Sequence, residues 1–513
     1  MINQRKAGSI LSYLQMAIGI IVNLVYTPVM TKLLGQSEYG LYNTVSSTMA
    51  MLSILSLGFN ASYIKFYSVY KKNDDKESIF KLNGIFLIIF LIIGLIAFCC
   101  GLFLSFNLNF VFDKGLSPKE YEIAKTLMLI LTINLAISFP MSIFQNIISA
   151  QEKFVFLKLL SMLKTVVGPL VSLPILLMGF RSIALVSVTL FISIITDICY
   201  LIYAKGILKI KFKFGNFEKG LFKELFVFSF FIAINIIVDQ VNNNMGKFLL
   251  GRYVGTIAVG TYSIGYTVYH MYTSLSTAVS GVFTPKIHHI VNNSDNLEDE
   301  KKKLTDLFIK VGRIQFIILA LVCSGFAFFG KSFIPIWVGT GYEEAYYVAL
   351  LLLVASITPL MQNLGICIQR AKNKHKFRSL IYLCMAFVNI VLTTIFSQKI
   401  GVIGAALGTT ISLVLANGIV MNIYYHKECN INMLLFWRSI LRLSLGLIIP
   451  IVFGIIMCLL FDFSSITNFL LGVLVYFIVY CISMWYIGIN KYEKQLIIDP
   501  LKKILKKIKR EKN

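Results

Sequence analysis

Residues 32–42 read Lys-Leu-Leu-Gly-Gln-Ser-Glu-Tyr-Gly-Leu-Tyr, and residues 247–262 read Lys-Phe-Leu-Leu-Gly-Arg-Tyr-Val-Gly-Thr-Ile-Ala-Val-Gly-Thr-Tyr. Leu33-Leu34-Gly35 recurs as Leu249-Leu250-Gly251 after 216 residues, and Gly40 and Tyr42 recur as Gly260 and Tyr262 after 220. The 216 shift extends backwards, pairing Ile21-Val22-Asn23 with Ile237-Val238-Asp239 and Val25 with Val241. Further on, Gln145-Asn146 matches Gln362-Asn363, each followed by a Lys-Phe pair, Lys153-Phe154 and Lys376-Phe377. Several matches near one offset in one chain mark an internal repeat.

The chain around these motifs is apolar. Of its 513 residues 57% are hydrophobic and 14% charged, with a mean hydropathy of +0.78, whereas soluble domains carry about 25% charged residues. A spanning helix needs about 20 apolar residues to cross a hydrocarbon core of about 30 Å. That criterion places about fourteen spans, at 8–31, 40–62, 82–106, 124–148, 157–178, 182–204, 224–246, 256–279, 309–330, 344–366, 379–397, 402–425, 439–461 and 467–489. The proline-bearing fifth and the short eleventh have the softest boundaries. With the N-terminus inside, the inner loops and adjoining span ends (Lys158, Lys310, Arg313 and Arg442 among them) hold 38 of the 48 Lys and Arg, and the outer loops hold 8. Lys125 and Lys164 lie within spans. Inner loops carry the basic excess, so the alternation predicts fourteen spans with both termini cytoplasmic. The formal charge of +24 is therefore a topological charge facing an anionic leaflet, and no nucleic-acid partner is expected. The repeat then covers six spans. An even number gives both copies one orientation, related by an axis along the membrane normal, as in transporters.

The expected organisation is an N-lobe over 1–204, a cytoplasmic linker over 205–223, a C-lobe over 224–425, two further spans over 426–490 and a basic tail over 491–513. In the tail, Leu501, Ile504, Leu505 and Ile508 alternate with lysines, predicting an amphipathic surface helix. Lys205 to Lys223 and Asp295 to Lys310 are expected to be surface helices too. The basic start and long first apolar run read as a span and not as a cleaved signal. The nine scattered cysteines lack metal-chelating spacing. There is no P-loop, and the longest outer loop, about Asn107 to Ile123, is too short for the catalytic loop that a polymerase or glycosyltransferase would carry.

The Leu-Leu-Gly-x-x-x-Tyr-Gly-x-Tyr signature of Leu33 to Tyr42, and the Asp-(x)9-Leu-Leu-Gly block of Asp239 to Gly251 running into Gly260-Thr261-Tyr262, resemble those of the Wzx-type oligosaccharide flippases of polysaccharide biosynthesis. That family shares a superfamily, the multidrug/oligosaccharidyl-lipid/polysaccharide (MOP) exporters, with lipid II flippases and multidrug and toxin extrusion transporters. The resemblance implies an all-α integral membrane protein of the bacterial cytoplasmic membrane, not an enzyme. It would move an undecaprenyl-pyrophosphate-linked oligosaccharide from inner to outer leaflet by alternating access. It implies no cofactor beyond a coupling H+ or Na+, and membrane lipids and polysaccharide assembly proteins such as a polymerase as partners. A cation-coupled drug exporter and a lipid II flippase are the alternatives. The first usually has twelve spans, and the second would be expected to carry arginines in spans one, two and eight, where this chain has none.

Ionisable groups inside spans are costly and normally face protein or water. Asp239, with Asn235 and Asn243 beside it and Lys247 two turns on, reads as a cavity acid or as an acid neutralised by Lys247 or Arg252. Asn23 is its counterpart in the first copy. Lys164 and Asp197 lie at similar depth in spans five and six, as an ion pair or with Lys164 binding phosphate. Span eight carries Tyr262, Tyr266, Tyr269 and Thr273 with His270, a stripe suited to sugar hydroxyls or to a helix interface. Span two repeats this weakly with Tyr39, Asn43, Ser46, Ser53 and Asn60. Gln145-Asn146 and Gln362-Asn363 read as hydrogen-bonding positions between helices, and Gly35, Gly40, Gly251 and Gly260 as tight outer turns where helices meet.

Overall fold

The computed structural model describes residues 4–499 apart from 114–115, 216–218, 282, 295, 373 and 497. Among them thirteen helices are long and apolar enough to cross a membrane, which makes this a multi-pass membrane protein. The one expected span not among them, the eighth, is a helix of 26 residues, α9 (Thr256–Gly281). It is not among the thirteen because it is the helix that carries the Tyr, Thr, Ser and His side chains. The short eleventh span is a longer helix than expected, His375–Ile400, and the fifth runs unbroken through Pro169 and Pro174.

In the membrane a helix satisfies every backbone group internally, and side-chain polarity then only decides which face meets protein. The third span, α4 (Lys76–Phe106), shows this. Phe86, Ile89, Phe90 and Ile93 are buried, while Ile88, Leu91, Ile92, Leu95 and Ile96 are exposed at helical spacing and face lipid. Its start is capped by Asp75, whose side chain accepts from the Ser78 N–H at 2.9 Å. The Ser78 hydroxyl, and after it that backbone bond, hold the exposed carboxyl below its ordinary range. α5 (Pro118–Ala150) begins with a reciprocal capping box of Ser117 and Glu120.

The chain forms two compact units, 1–264 with 382–412, and 265–381 with 413–513. In the first unit α4 packs on α5, α1 (Gln4–Leu34) on α6 (Phe154–Leu177), and α5 on α7 (Arg181–Ile202). The second span is broken into α2 (Gln36–Met51), a single 3-10 turn and α3 (Phe59–Lys72). It packs along α8 (Lys219–Tyr253), where the Ser62 and Ser229 hydroxyls meet at 2.6 Å and Phe59 meets Phe226 edge to face. Between α8 and the His375–Ile400 helix, Val238, Val241 and Ala386 form a small core. Asn389 donates to Asn242 and accepts from Thr393 and Thr409.

In the second unit the ninth span is continuous with the polar segment before it as one helix, α11 (Leu297–Val338). It follows the short α10 (Thr284–Asn293). The last two spans are tied to α11 by buried Arg313. Its guanidinium donates to both Glu493 carboxylate oxygens at 2.5 and 2.9 Å, to the Ser439 carbonyl at 2.9 Å and to the Gly488 carbonyl at 3.1 Å.

The linker differs from expectation. Tyr203–Ile207 ends the sixth span as a π-helical turn, and residues 208–215 are an irregular strap and not a surface helix. The Lys213 N–H donates to the Phe80 carbonyl at 3.0 Å, Asn83 donates to the Lys211 carbonyl at 2.9 Å, and Lys213 pairs with Glu77 at 2.7 Å. The strap takes its bonds from α4, so the local helix-compatible pattern yields to tertiary partners. The expected amphipathic tail from Leu501 lies outside the described residues, as does Asp295.

Candidate functional site

Four spans of the first unit line an open cavity of about 410 Å³ within the membrane-spanning region. Span two contributes Ser53, Ser56 and Asn60, α5 contributes Ser138, Ser142 and Gln145, α6 contributes Ser161 and Lys164, and α7 contributes Thr196, Asp197 and Tyr200. Lys164 and Asp197, read at similar depth from the sequence, are thus brought together, but not as a direct ion pair. The Lys164 ammonium donates to the Ser193 hydroxyl at 3.0 Å, and the Asp197 carboxylate accepts a long 3.4 Å bond from Ser138. The Ser53 hydroxyl is buried with no hydrogen-bond partner. One cation, one anion, hydroxyls and amides lining one cavity between spans can hold a polyhydroxylated or phosphorylated group. Such groups act more strongly there than in water.

Asn60 and Asn146 do act as helix glue here, with Asn146 donating to Asn60 at 2.7 Å, while its neighbour Gln145 lines the cavity. In the second unit Gln362 donates to Asn422 at 3.0 Å and Asn363 to Ser280 at 3.2 Å, as expected of interhelical positions.

The other sequence candidates fall elsewhere. Asn235, Asp239 and Asn243 are exposed and Lys247 half-buried. Their spacing of four residues makes them one stripe along α8, on a different face from buried Val238 and Val241. A charged stripe on a spanning helix is stable only against water or protein, not lipid. Asn23 is exposed on α1. Tyr262 and Tyr266 are buried, Tyr266 lies edge to face with Tyr269 at 5.4 Å, and His270 is exposed. The hydroxyls of Thr273 and Ser274 return to the His270 carbonyl at 2.9 Å, so Thr273 serves its own backbone.

The repeated signatures meet at the outer end of the first unit as the sequence topology draws it. Gly35 makes the turn from α1 to α2 with φ +76°, a left-handed conformation that favours glycine. Gly40 packs on the other copy: a methyl there would overlap the Thr256 carbonyl oxygen and lie 2.9 Å from the Gly260 nitrogen. Gln36 donates to Thr261 at 3.0 Å, and Ser37 bonds both Thr256 and Glu120. Of the four signature glycines only Gly35 forms the expected turn: Gly40, Gly251 and Gly260 lie within α2, α8 and α9, where they allow close helix contact, Gly251 against Thr44. Beside this seam, Glu38 accepts from the Ser182 N–H at 2.9 Å and hydroxyl at 2.7 Å and pairs with Arg181 at 3.2 Å.

Sequence reasoning passed over Ser138, Ser142, Ser161, Ser193 and Thr196. A signal was available: Ser193, Thr196, Asp197 and Tyr200 fall at i, i+3, i+4 and i+7 on α7, a polar stripe inside an apolar run.

The model of the family described as "Polysaccharide biosynthesis protein" matches residues 6–291. A "putative O-antigen transporter" of Shigella flexneri is 21% identical over 406 residues, covering 78% of this chain and 92% of that one. Among solved structures, the lipid II flippase MurJ in an inward closed conformation superposes with a TM-score of 0.73 at 17% identity, over 93% of this chain and 97% of that one. An inward-facing multidrug resistance MATE family transporter of the MOP superfamily gives 0.58 at 13% identity, over 82% and 99%. At these identities the structural likeness establishes the fold.

Proposed function

Because the chain belongs to the polysaccharide biosynthesis protein family, we propose that it is a flippase that moves lipid-linked polysaccharide units across the bacterial cytoplasmic membrane, with both termini cytoplasmic. The finer reading is an undecaprenyl-pyrophosphate-linked oligosaccharide carried from inner to outer leaflet by alternating access of the two repeat lobes. The observation that carries it is the first unit's cavity, where Lys164 keeps N–H donors for phosphate oxygens while Asp197, Gln145 and the hydroxyls suit sugar hydroxyls. The stripe of exposed Asn235, Asp239 and Asn243 with half-buried Lys247 is a second polar surface for the same cargo. Without a P-loop, any uphill work would come from an H+ or Na+ gradient or from product removal, with Asp239 and Asp197 the acids that would sense a gradient.

Deletion in the native host tests this. Complete lipid-linked repeat units should accumulate on the inner leaflet, surface polymer should be lost, and the intact gene should restore both. Unchanged lipid-linked pools with altered sensitivity to cationic drugs would instead identify a drug exporter. Accumulated lipid II would identify a lipid II flippase.

A further inference from the structure

The Lys376-Phe377 pair of the repeat is not used by the proposed cavity. Its copy-one counterpart Phe154 is covered by α1, where a methyl on Gly8 would lie 2.7 Å from the Phe154 Cβ. Phe377 is instead 39% exposed. It stacks on Tyr424 of α16 (Met421–Lys427) at 4.3 Å and 10°. Together with Val420, Ile423, Lys427 and Glu428 these two rings line a groove of about 510 Å³ at one end of the second unit.

Three observations define what the groove accepts. First, its walls are fixed. Lys374 donates to the Glu428 carbonyl at 2.6 Å and carboxylate at 3.1 Å, the Tyr424 hydroxyl donates to the Lys374 carbonyl at 2.9 Å, and Lys372 donates to the Cys429 carbonyl at 2.9 Å while pairing with Glu300. Second, Val420, Ile423, Tyr424 and Lys427 follow i, i+3, i+4, i+7 spacing, so one helix face passes from aliphatic through aromatic to cationic within two turns. A phospholipid has the same order from acyl chain through glycerol to phosphate. Third, the charge is unbalanced. Glu428 is neutralised by Lys374, and exposed Lys427 forms no ion pair among the described residues. A soluble anion would gain nothing from the aliphatic floor, and a partner helix would need a longer groove.

We propose that this groove is a binding site for one anionic phospholipid, its phosphate against Lys427 and its glycerol and upper acyl chains over Phe377, Tyr424 and Ile423. The site requires only that the chain spans a membrane, so it stands or falls independently of the cargo.

Native mass spectrometry of the delipidated full-length protein titrated with phosphatidylglycerol or phosphatidylcholine tests it. The wild type should retain one phosphatidylglycerol in preference to phosphatidylcholine, and free glycerol 3-phosphate should not displace it. Lys427→Gln should weaken retention about fivefold, the value of one basic side chain near an anionic lipid surface. Phe377→Ala should weaken retention of both lipids, and Lys399→Gln should change nothing. Equal retention of the two lipids, wild-type retention by Lys427→Gln, or displacement by glycerol 3-phosphate would overturn the proposal. If Phe377→Ala fails to fold, Lys427→Gln decides alone.

Discussion

Replacing Gly40 by alanine probes the seam between the two signature motifs, and Gly19→Ala is its control. Both glycines are helical. At Gly19 an added methyl would meet nothing within 4 Å, so Gly19→Ala should stabilise the protein by the usual helical preference of alanine, about 0.5–1 kcal/mol. At Gly40 the methyl would meet the Thr256 carbonyl carbon at 2.6 Å and the Gly260 nitrogen at 2.9 Å, against ordinary contacts of 3.4–4 Å. Both obstacles are backbone, as is the still closer Thr256 carbonyl oxygen, so no rotamer change relieves them and the helices must separate. Over-packing of this kind costs about 1–3 kcal/mol, which cancels or outweighs the helical gain. Unfolding free energies of the two variants in mixed micelles should therefore differ by about that amount, with Gly40→Ala the less stable. A Gly40→Ala variant as stable as Gly19→Ala would refute the tight seam. The same variant should weaken the Gln36–Thr261 and Ser37–Thr256 bonds beside it, loosening the outer end at which the motifs meet.

Lys164→Met should lower polymer export about 10- to 150-fold, the worth of one charge-assisted hydrogen bond of about 1.5–3 kcal/mol, with unchanged protein abundance on immunoblots and partial rescue by Lys164→Arg. Glu493→Ala leaves the Arg313 guanidinium buried and uncompensated, which costs about 3–5 kcal/mol; thermal melting in detergent should show it, and Arg313→Met with Glu493→Leu should recover much of the loss. Asp239→Asn and Lys247→Ala should each reduce export at normal abundance, and normal export in both would remove the α8 stripe as a cargo surface.

The fold was legible because membrane spans are written in long one-letter-class runs, and the basic loops number them. Even α9, the helix that falls short of apolar, was counted among the fourteen by the same length criterion. The repeat was legible for a different reason: Gly35, Gly40 and Gly260 occupy positions where backbone geometry tolerates little else. Lys164 and Asp197 stood out because a charge in an apolar run is rare, yet the sequence favoured pairing them directly. The structure gives each a serine partner instead, because Ser193 and Ser138 lie one turn before Asp197 on α7 and on the facing α5. Such serines are invisible within a span unless their spacing is counted. The strap over 208–215 was misread because its bonds come from Phe80 and Asn83, more than a hundred residues away, which no local pattern encodes.

The most direct test of the central claim, that the first unit's polar cavity carries the cargo, is flipping by purified protein in liposomes containing the host's own lipid-linked repeat unit. The fraction of saccharide exposed to an external glycosidase should rise to a plateau with the wild type, and Lys164→Met should slow the approach at equal protein content. Wild-type liposomes that expose no more saccharide than empty ones, or a Lys164→Met variant that flips at the wild-type rate, would contradict it.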